Sequence, residues 1–269
     1  MRKENKYRII DTHAHIFPDK IAEKAVDSIG RYYGISMAGE GTVQGLIERG
    51  ERIGVGKYLI HSSATQVEQV KAINDYVSSV QATDDRFIGF GTLHPDFEDA
   101  ESETERIITL GLKGIKLHPE FQGFSIDDKS MMHIYRAIEG KLPVLIHVGD
   151  ENRTSSSPAR LSRIMEMFPR LVVIAAHFGG YQMWDESIKY LIGKNLYMDT
   201  SSALFKLEPQ KAVSMIRKHG YTRMLFGSDY PMWDHEEELE RFMKLDLTEE
   251  ERKAILSENA ERLLKIKAV

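Results

Sequence analysis

Eight short apolar runs recur along this 269-residue chain, and a stretch of helical periodicity separates each from the next. The runs cover residues 7–17, 57–63, 87–94, 114–118, 143–149, 171–179, 196–201 and 224–229. Between them, 19–34 places Ile21, Ala25, Ile29, Tyr32 and Tyr33 on one helical side, and 42–54 opens on Thr42, a good N-cap. Further helices are expected over 65–82, 98–110, 127–140, 158–168, 184–192 and 208–219, then two acidic ones around 236–243 and 248–266. Strands alternating with helices predict an α/β protein with a parallel sheet. Either a doubly wound sheet or a closed barrel can carry eight strands, and the polar residues decide between them. The first, fourth, fifth, sixth and eighth runs each close on His or Asp. In a barrel those strand ends converge on one mouth, whereas an open sheet strings them along an edge. The expected fold is therefore a (β/α)8 TIM barrel, one domain over 1–269. No linker, repeat or low-complexity tract interrupts it, and the irregular stretch 150–157, DENRTSSS, reads as an active-site loop.

The first run, YRIIDTHAHIF, carries the strongest chemical signal. Alternate residues of a strand share a face, so Ile9, Asp11, His13 and His15 point one way. Two imidazoles two residues apart sit roughly 6–7 Å apart at Cα. Both can lean onto one ion with metal–nitrogen distances of about 2 Å. The same alternation puts His147 with Leu145 and Gly149, His177 with Val173 and Ala175, and Asp229 with Leu225 and Gly227. His13, His15, His147, His177 and Asp229 thus gather around one point in a barrel. Three or four nitrogens and one carboxylate make a transition-metal set, too nitrogen-rich for magnesium or calcium. The expected cofactor is one divalent transition metal, with zinc favoured over manganese, iron, nickel or cobalt.

Composition narrows the chemistry. The chain has no cysteine, which removes disulfides, thiolate metal sites and cysteine nucleophiles. A formal net charge of −5 offers no general attraction to nucleic acid or anionic membrane. No apolar run is long enough to span a bilayer, and the charged opening MRKENKYRII does not read as a secretory signal. A cytoplasmic protein acting on a small molecule is expected, as a homo-oligomer, with neither nucleic acid nor membrane as partner.

DTHAH on the first run, His147 in LIHVG, His177 in AAHFGG and Asp229 in FGSDYP together resemble the amidohydrolase superfamily. The branch they resemble is the amidohydrolase-related group that includes aminocarboxymuconate-semialdehyde decarboxylase. The resemblance implies that His13, His15, His147 and Asp229 bind one divalent metal and that His177 lies beside the metal water. Asp229 and His177 are then the catalytic pair. A zinc ion lowers the pKa of bound water to about 7, and a neighbouring carboxylate can take its proton. The leading expectation is a metal-dependent hydrolase whose activated water attacks a small carboxylated or cyclic substrate. Non-oxidative decarboxylation at the same site is the alternative, and a non-catalytic metal-binding barrel is the alternative of another class.

Substrate contacts are expected from His118 and Lys116, which share a face of the fourth run. Lys116 pairs with Asp11 or another interior carboxylate, or binds a substrate carboxylate. Arg153 could clamp an anionic substrate, although an exposed loop arginine is the simpler reading. His61 reads as a core residue, His133, His219 and His235 as surface groups, and the acidic run 236–238 as a solvated helix start. Tyr181 and Trp233 are lid aromatics or packing.

Overall fold

The computed structural model describes residues 6–266. Eight strands, β1 (Ile9–His15), β2 (Val55–His61), β3 (Phe87–Thr92), β4 (Gly114–Leu117), β5 (Val144–Ile146), β6 (Val173–Ala175), β7 (Tyr197–Asp199) and β8 (Met224–Leu225), form one sheet in chain order. Helices fill the connections, which makes the chain a (β/α)8 barrel. Two compact units divide it. Among the described residues, one holds 6–60, 84–88 and 200–266, and the other holds 61–83 and 89–199.

The first unit contains the closure between β1 and β8. Thr12 N–H donates to the Phe226 carbonyl (2.9 Å), Asp229 N–H to that of His13 (2.8 Å) and His15 N–H to that of Tyr230 (2.7 Å). Backbone pairing with β1 therefore runs on to residue 230, although β8 as a regular strand ends at Leu225. Ile9, Ile10, Leu46, Tyr58, Phe226, Phe242, Ile255 and Leu256 form the buried core here. Phe226 meets Phe242 edge to face with ring centroids 5.8 Å apart. Burying such a ring contributes roughly 1.5–3 kcal/mol. The helix Val43–Ile53 begins as the sequence predicts, with Thr42 Oγ1 accepting from Gly45 N–H.

The C-terminal helical stretch departs from expectation. Glu249–Lys253 and Asn259–Leu264 are α-helical, with a wide π turn, Ala254–Glu258, between them. Within that turn the Ile255 carbonyl accepts the N–H of Phe226 at 2.9 Å. Asn259 Nδ2 donates to the carbonyls of Tyr221 and Met224, both at 2.7 Å. A short strand is thereby supplied with partners from a helix, as the satisfaction of buried backbone groups demands.

In the second unit, β3 to β7 pair in parallel, with Ile115 opposite Val144, Val144 opposite Val173, and Ile174 opposite Tyr197. Val144, Leu145, Ile146, Val173 and Ile174 are all buried, the near-continuous apolar run of strands covered on both faces. The helix expected over 65–82 is Gln69–Gln81. Its start is set by the Gln69 side chain, whose oxygen accepts from Thr65 N–H (2.9 Å) and Gln66 N–H (3.2 Å) and holds the preceding turn outside the helix. Asn74 then ties this helix to the end of β3, accepting from Thr92 N–H at 2.7 Å and donating to Thr92 O at 3.1 Å.

Candidate metal centre

Residues from β1 and from the turn after β8 build the cluster of the first unit. His13 Nε2 and His15 Nε2 both lie 3.3 Å from the same oxygen, Oδ1 of Asp229. Two donors bound to one ion at 2.0–2.1 Å stand about 3 Å from one another, so this spacing fits a shared transition metal. The remaining atoms are held in place. His13 Nδ1 faces Ser201 Oγ at 3.1 Å, which leaves Nε2 for a ligand, and Ser202 Oγ donates to Asp229 Oδ2 at 2.5 Å. Trp233 Nε1 in turn donates to Ser202 Oγ at 2.8 Å, and its ring stacks on Phe205. Asp229 does not sit on a strand face. Its φ of 60° places it in the left-handed region, which Asp tolerates better than most residues. A Cβ on Gly227 would come within 2.9 Å of His13 Cβ, so only glycine lets the two chain segments approach.

The second unit holds an imidazole cluster. His147 Nε2 lies 2.8 Å from the Gly149 carbonyl, and its Nδ1 lies 2.9 Å from His177 Nε2. His118 stacks between Phe121 and His147, with centroid distances of 4.0 and 4.1 Å. Glu120 Oε1 accepts from Ser155 Oγ (2.8 Å) and Ser156 Oγ (2.5 Å), and Oε2 lies 3.6 Å from His118 Nδ1. Burial raises the Glu120 carboxyl above the usual carboxylate range, against the two serine hydroxyls that lower it. His118, Glu120 and His147 present ligand atoms within 4.8 Å of one another. Their spacing can accommodate a cation or hold a proton-exchanging network.

His177 is presented by backbone geometry that alternation does not describe. β6 ends at Ala175, and His177, Phe178 and Gly179 follow with φ of 61°, 55° and 66°. Asp199 Oδ1 accepts His177 N–H at 2.9 Å, and Trp184 Nε1 donates to the His177 carbonyl at 3.1 Å. Gly149 makes the corresponding turn after β5, where a Cβ would stand 2.4 Å from Tyr181 N. The expected face-sharing of His177 and Asp229 with strand residues is therefore corrected, since both lie in left-handed turns past the last regular residue of their strands. His147 directly follows β5, and its N–H still bonds the Leu117 carbonyl at 3.0 Å.

Within the first unit the structure brings together His13, His15 and Asp229, and within the second His118, His147 and His177. Lys116 is fully buried in β4, while Arg153 is exposed on its loop. Asp11 takes Ser228 and His235 as partners. Tyr181 is buried and meets His177 edge to face, so it packs rather than forming a lid. Three surface assignments are overturned. His235 and His219 are buried, and so is Glu238 within the acidic run. The roles of Ser201, Ser202 and Glu120 were missed by sequence reading, and the serine pair one residue past the end of β7 was the available signal.

No helix among the described residues is long and apolar enough to cross a membrane. The family model described as "Amidohydrolase" matches residues 10–266. No curated protein sequence matches. Among solved structures, 5-carboxyvanillate decarboxylase from Sphingomonas paucimobilis is similar at 18% identity, with a TM-score of 0.74, over 97% of this chain and 100% of that one. A dihydroxybenzoic acid decarboxylase from Polaromonas sp. JS666, solved with bound manganese and an inhibitor, is 16% identical with a TM-score of 0.74, over 98% of both chains. A probable 2-pyrone-4,6-dicarboxylic acid hydrolase from Acinetobacter baumannii is 18% identical with a TM-score of 0.70, over 96% of this chain and 100% of that one. At these identities the likeness shows the fold.

Proposed function

Because this chain belongs to the amidohydrolase family, an enzyme family, we propose that it is a metal-dependent, non-oxidative decarboxylase of a small aromatic or unsaturated acid. The observation that carries the proposal is the convergence of His13 Nε2 and His15 Nε2 on one oxygen of Asp229. Decarboxylation is preferred to hydrolysis because aromatic-acid decarboxylases recur among the similar structures.

In this reading His13, His15 and Asp229 hold a divalent cation, zinc or manganese. The sequence resemblance also gives His147 a ligand role and sets His177 beside the metal water. When bound, the metal supplies Lewis acidity that fixes and polarises substrate oxygens. The chain's own groups supply the rest. Lys116 and His118 contact the substrate. As the bond between the carboxylate and its carbon breaks, carbon dioxide leaves and the electron pair stays on the carbon. That carbon then takes the proton that Asp229 has first drawn from solvent, which returns Asp229, steadied at Oδ2 by Ser202, to the carboxylate. Arg153, on an exposed loop, is given no part in this step.

Hydrolysis remains the second reading, favoured by the likeness to a 2-pyrone-4,6-dicarboxylic acid hydrolase. Turnover of a panel of hydroxybenzoates, carboxylated phenols and lactones by metal-loaded protein separates the two. Release of carbon dioxide supports decarboxylation. Acid production from the lactones without carbon dioxide overturns it in favour of hydrolysis.

A further inference from the structure

We propose that Asp11 and His235 form a positioning pair that sets the spacing between the metal-binding side chains of β1 and the turn after β8. The inference rests on the reading that His13, His15 and Asp229 hold the metal, and it assigns a role to two residues outside that set.

Both side chains are completely buried. Asp11 Oδ1 accepts the backbone N–H of His13 (3.1 Å) and of Ser228 (2.9 Å). Its Oδ2 accepts Ser228 Oγ–H (2.6 Å) and lies 3.0 Å from His235 Nε2. One carboxylate therefore grips the backbone of one ligand, His13, and the residue directly before another, Asp229. Ser228 Oγ extends the grip by accepting Tyr230 N–H at 3.1 Å, so the backbone on both sides of Asp229 is tied to Asp11.

This grip matters because regular pairing has stopped. β8 ends at Leu225, and Asp229 sits at a φ of 60°. The position of its carboxylate depends on the bonds that fix this irregular segment. His235 aims the Asp11 carboxylate from the opening of the helix His235–Met243. Its ring is held by Tyr58, edge-on at 6.3 Å, and by Tyr230 at 5.8 Å. Outer partners of this kind orient metal ligands, and their loss typically costs about 10- to 100-fold in metal affinity.

The test is titration of the metal-free protein with manganese(II) or zinc(II) against a competing chelator, with thermal melting of each metal-free variant. His235→Phe keeps ring volume and removes the donor, and should weaken binding by about 10- to 100-fold with little change in the metal-free melting temperature. His235→Gln restores an N–H donor and should recover most of the affinity. Should His235→Phe fail to fold, Ser228→Ala removes one contact to Asp11 and should still weaken binding several-fold. Unchanged affinity in the folded His235→Phe protein, or in Ser228→Ala, overturns the proposal. Loss of affinity that Gln does not restore, and that follows a lowered metal-free melting temperature, also overturns it by showing a structural role alone. His13→Ala in the same titration tests the underlying reading. If it binds metal as the wild type does, the ligand assignment fails rather than the positioning pair.

Discussion

Ser202 donates its hydroxyl to Asp229 Oδ2 at 2.5 Å, while the other oxygen of the same carboxylate faces both His13 and His15. The two oxygens therefore have different tasks: one is anchored and one is presented. Ser202→Ala should leave fold and metal content intact and reduce turnover by about 10- to 100-fold, the usual effect of losing an outer partner. Metal analysis and rate on the same sample check this. Wild-type turnover in the variant would show that the anchor is dispensable.

Asp229→Asn tests the proton step. Asn is nearly isosteric and can still offer an oxygen, but it cannot carry the proton. The variant should keep its fold and much of its metal yet lose roughly 100-fold or more in turnover, as expected for a general acid–base group. A fully metallated variant with near-normal rate would move the proton to another group, His177 first.

Metal content is the third expectation. The purified protein should carry close to one transition metal per chain, measured by elemental analysis. Replacing His13 and His15 together by Ala removes two nitrogens that share one carboxylate oxygen, and occupancy should fall to background. Retained metal in that double variant would refute the ligand assignment.

Glu238 gives a pH signature. Burial, outweighing the Arg241 guanidinium beside it, pushes its carboxyl from an ordinary 4.5 up to about 8. The folded protein thus holds a proton that the unfolded chain releases near its ordinary value. Stability contributed by this group is fully present below about pH 4.5 and is lost as pH rises toward 8. Glu238→Gln removes the titration, so its melting temperature should fall less than the wild type's between pH 5 and pH 8. Parallel profiles for the two proteins would show that Glu238 is ionised throughout.

Glu120 latches the loop after β5 through Ser155 and Ser156. Glu120→Ala should leave the melting temperature nearly unchanged and speed protease cleavage within 150–157, read by mass spectrometry. Glu120→Gln, which still offers an acceptor, should be cleaved more slowly than the Ala variant. Equal cleavage of all three proteins would show that the latch does not hold the loop.

Much of this was readable from residues alone. Strand–helix alternation is a long-range pattern, and the His-x-His pair lies on a regular strand, so period-two reasoning described β1 well. The approach to His177 and Asp229 was not readable. Both occupy left-handed turns, and neither His177 nor Phe178 is a residue whose type announces a positive φ. His235 was misread for a different reason. Charge in the run after it suggested solvent, yet His235, Glu238 and Phe242 are spaced at i, i+3 and i+7 and form the buried stripe of their helix. Periodicity outweighed polarity, because Asp11 and Arg241 compensate the buried groups.

The hydrogen bond from Phe226 to the π turn at Ile255 bears on how the protein is made. Synthesis proceeds from the N-terminus, so His13 and His15 leave the ribosome more than two hundred residues before that carbonyl does. Until Ile255 emerges, Phe226 N–H lacks its native partner, and the segment leading to Asp229 lacks one of its anchors. A nascent chain consequently exposes an imidazole pair long before its carboxylate can be fixed beside it. On the proposed ligand set, the complete site is assembled only late in biogenesis, after the last helical stretch has docked.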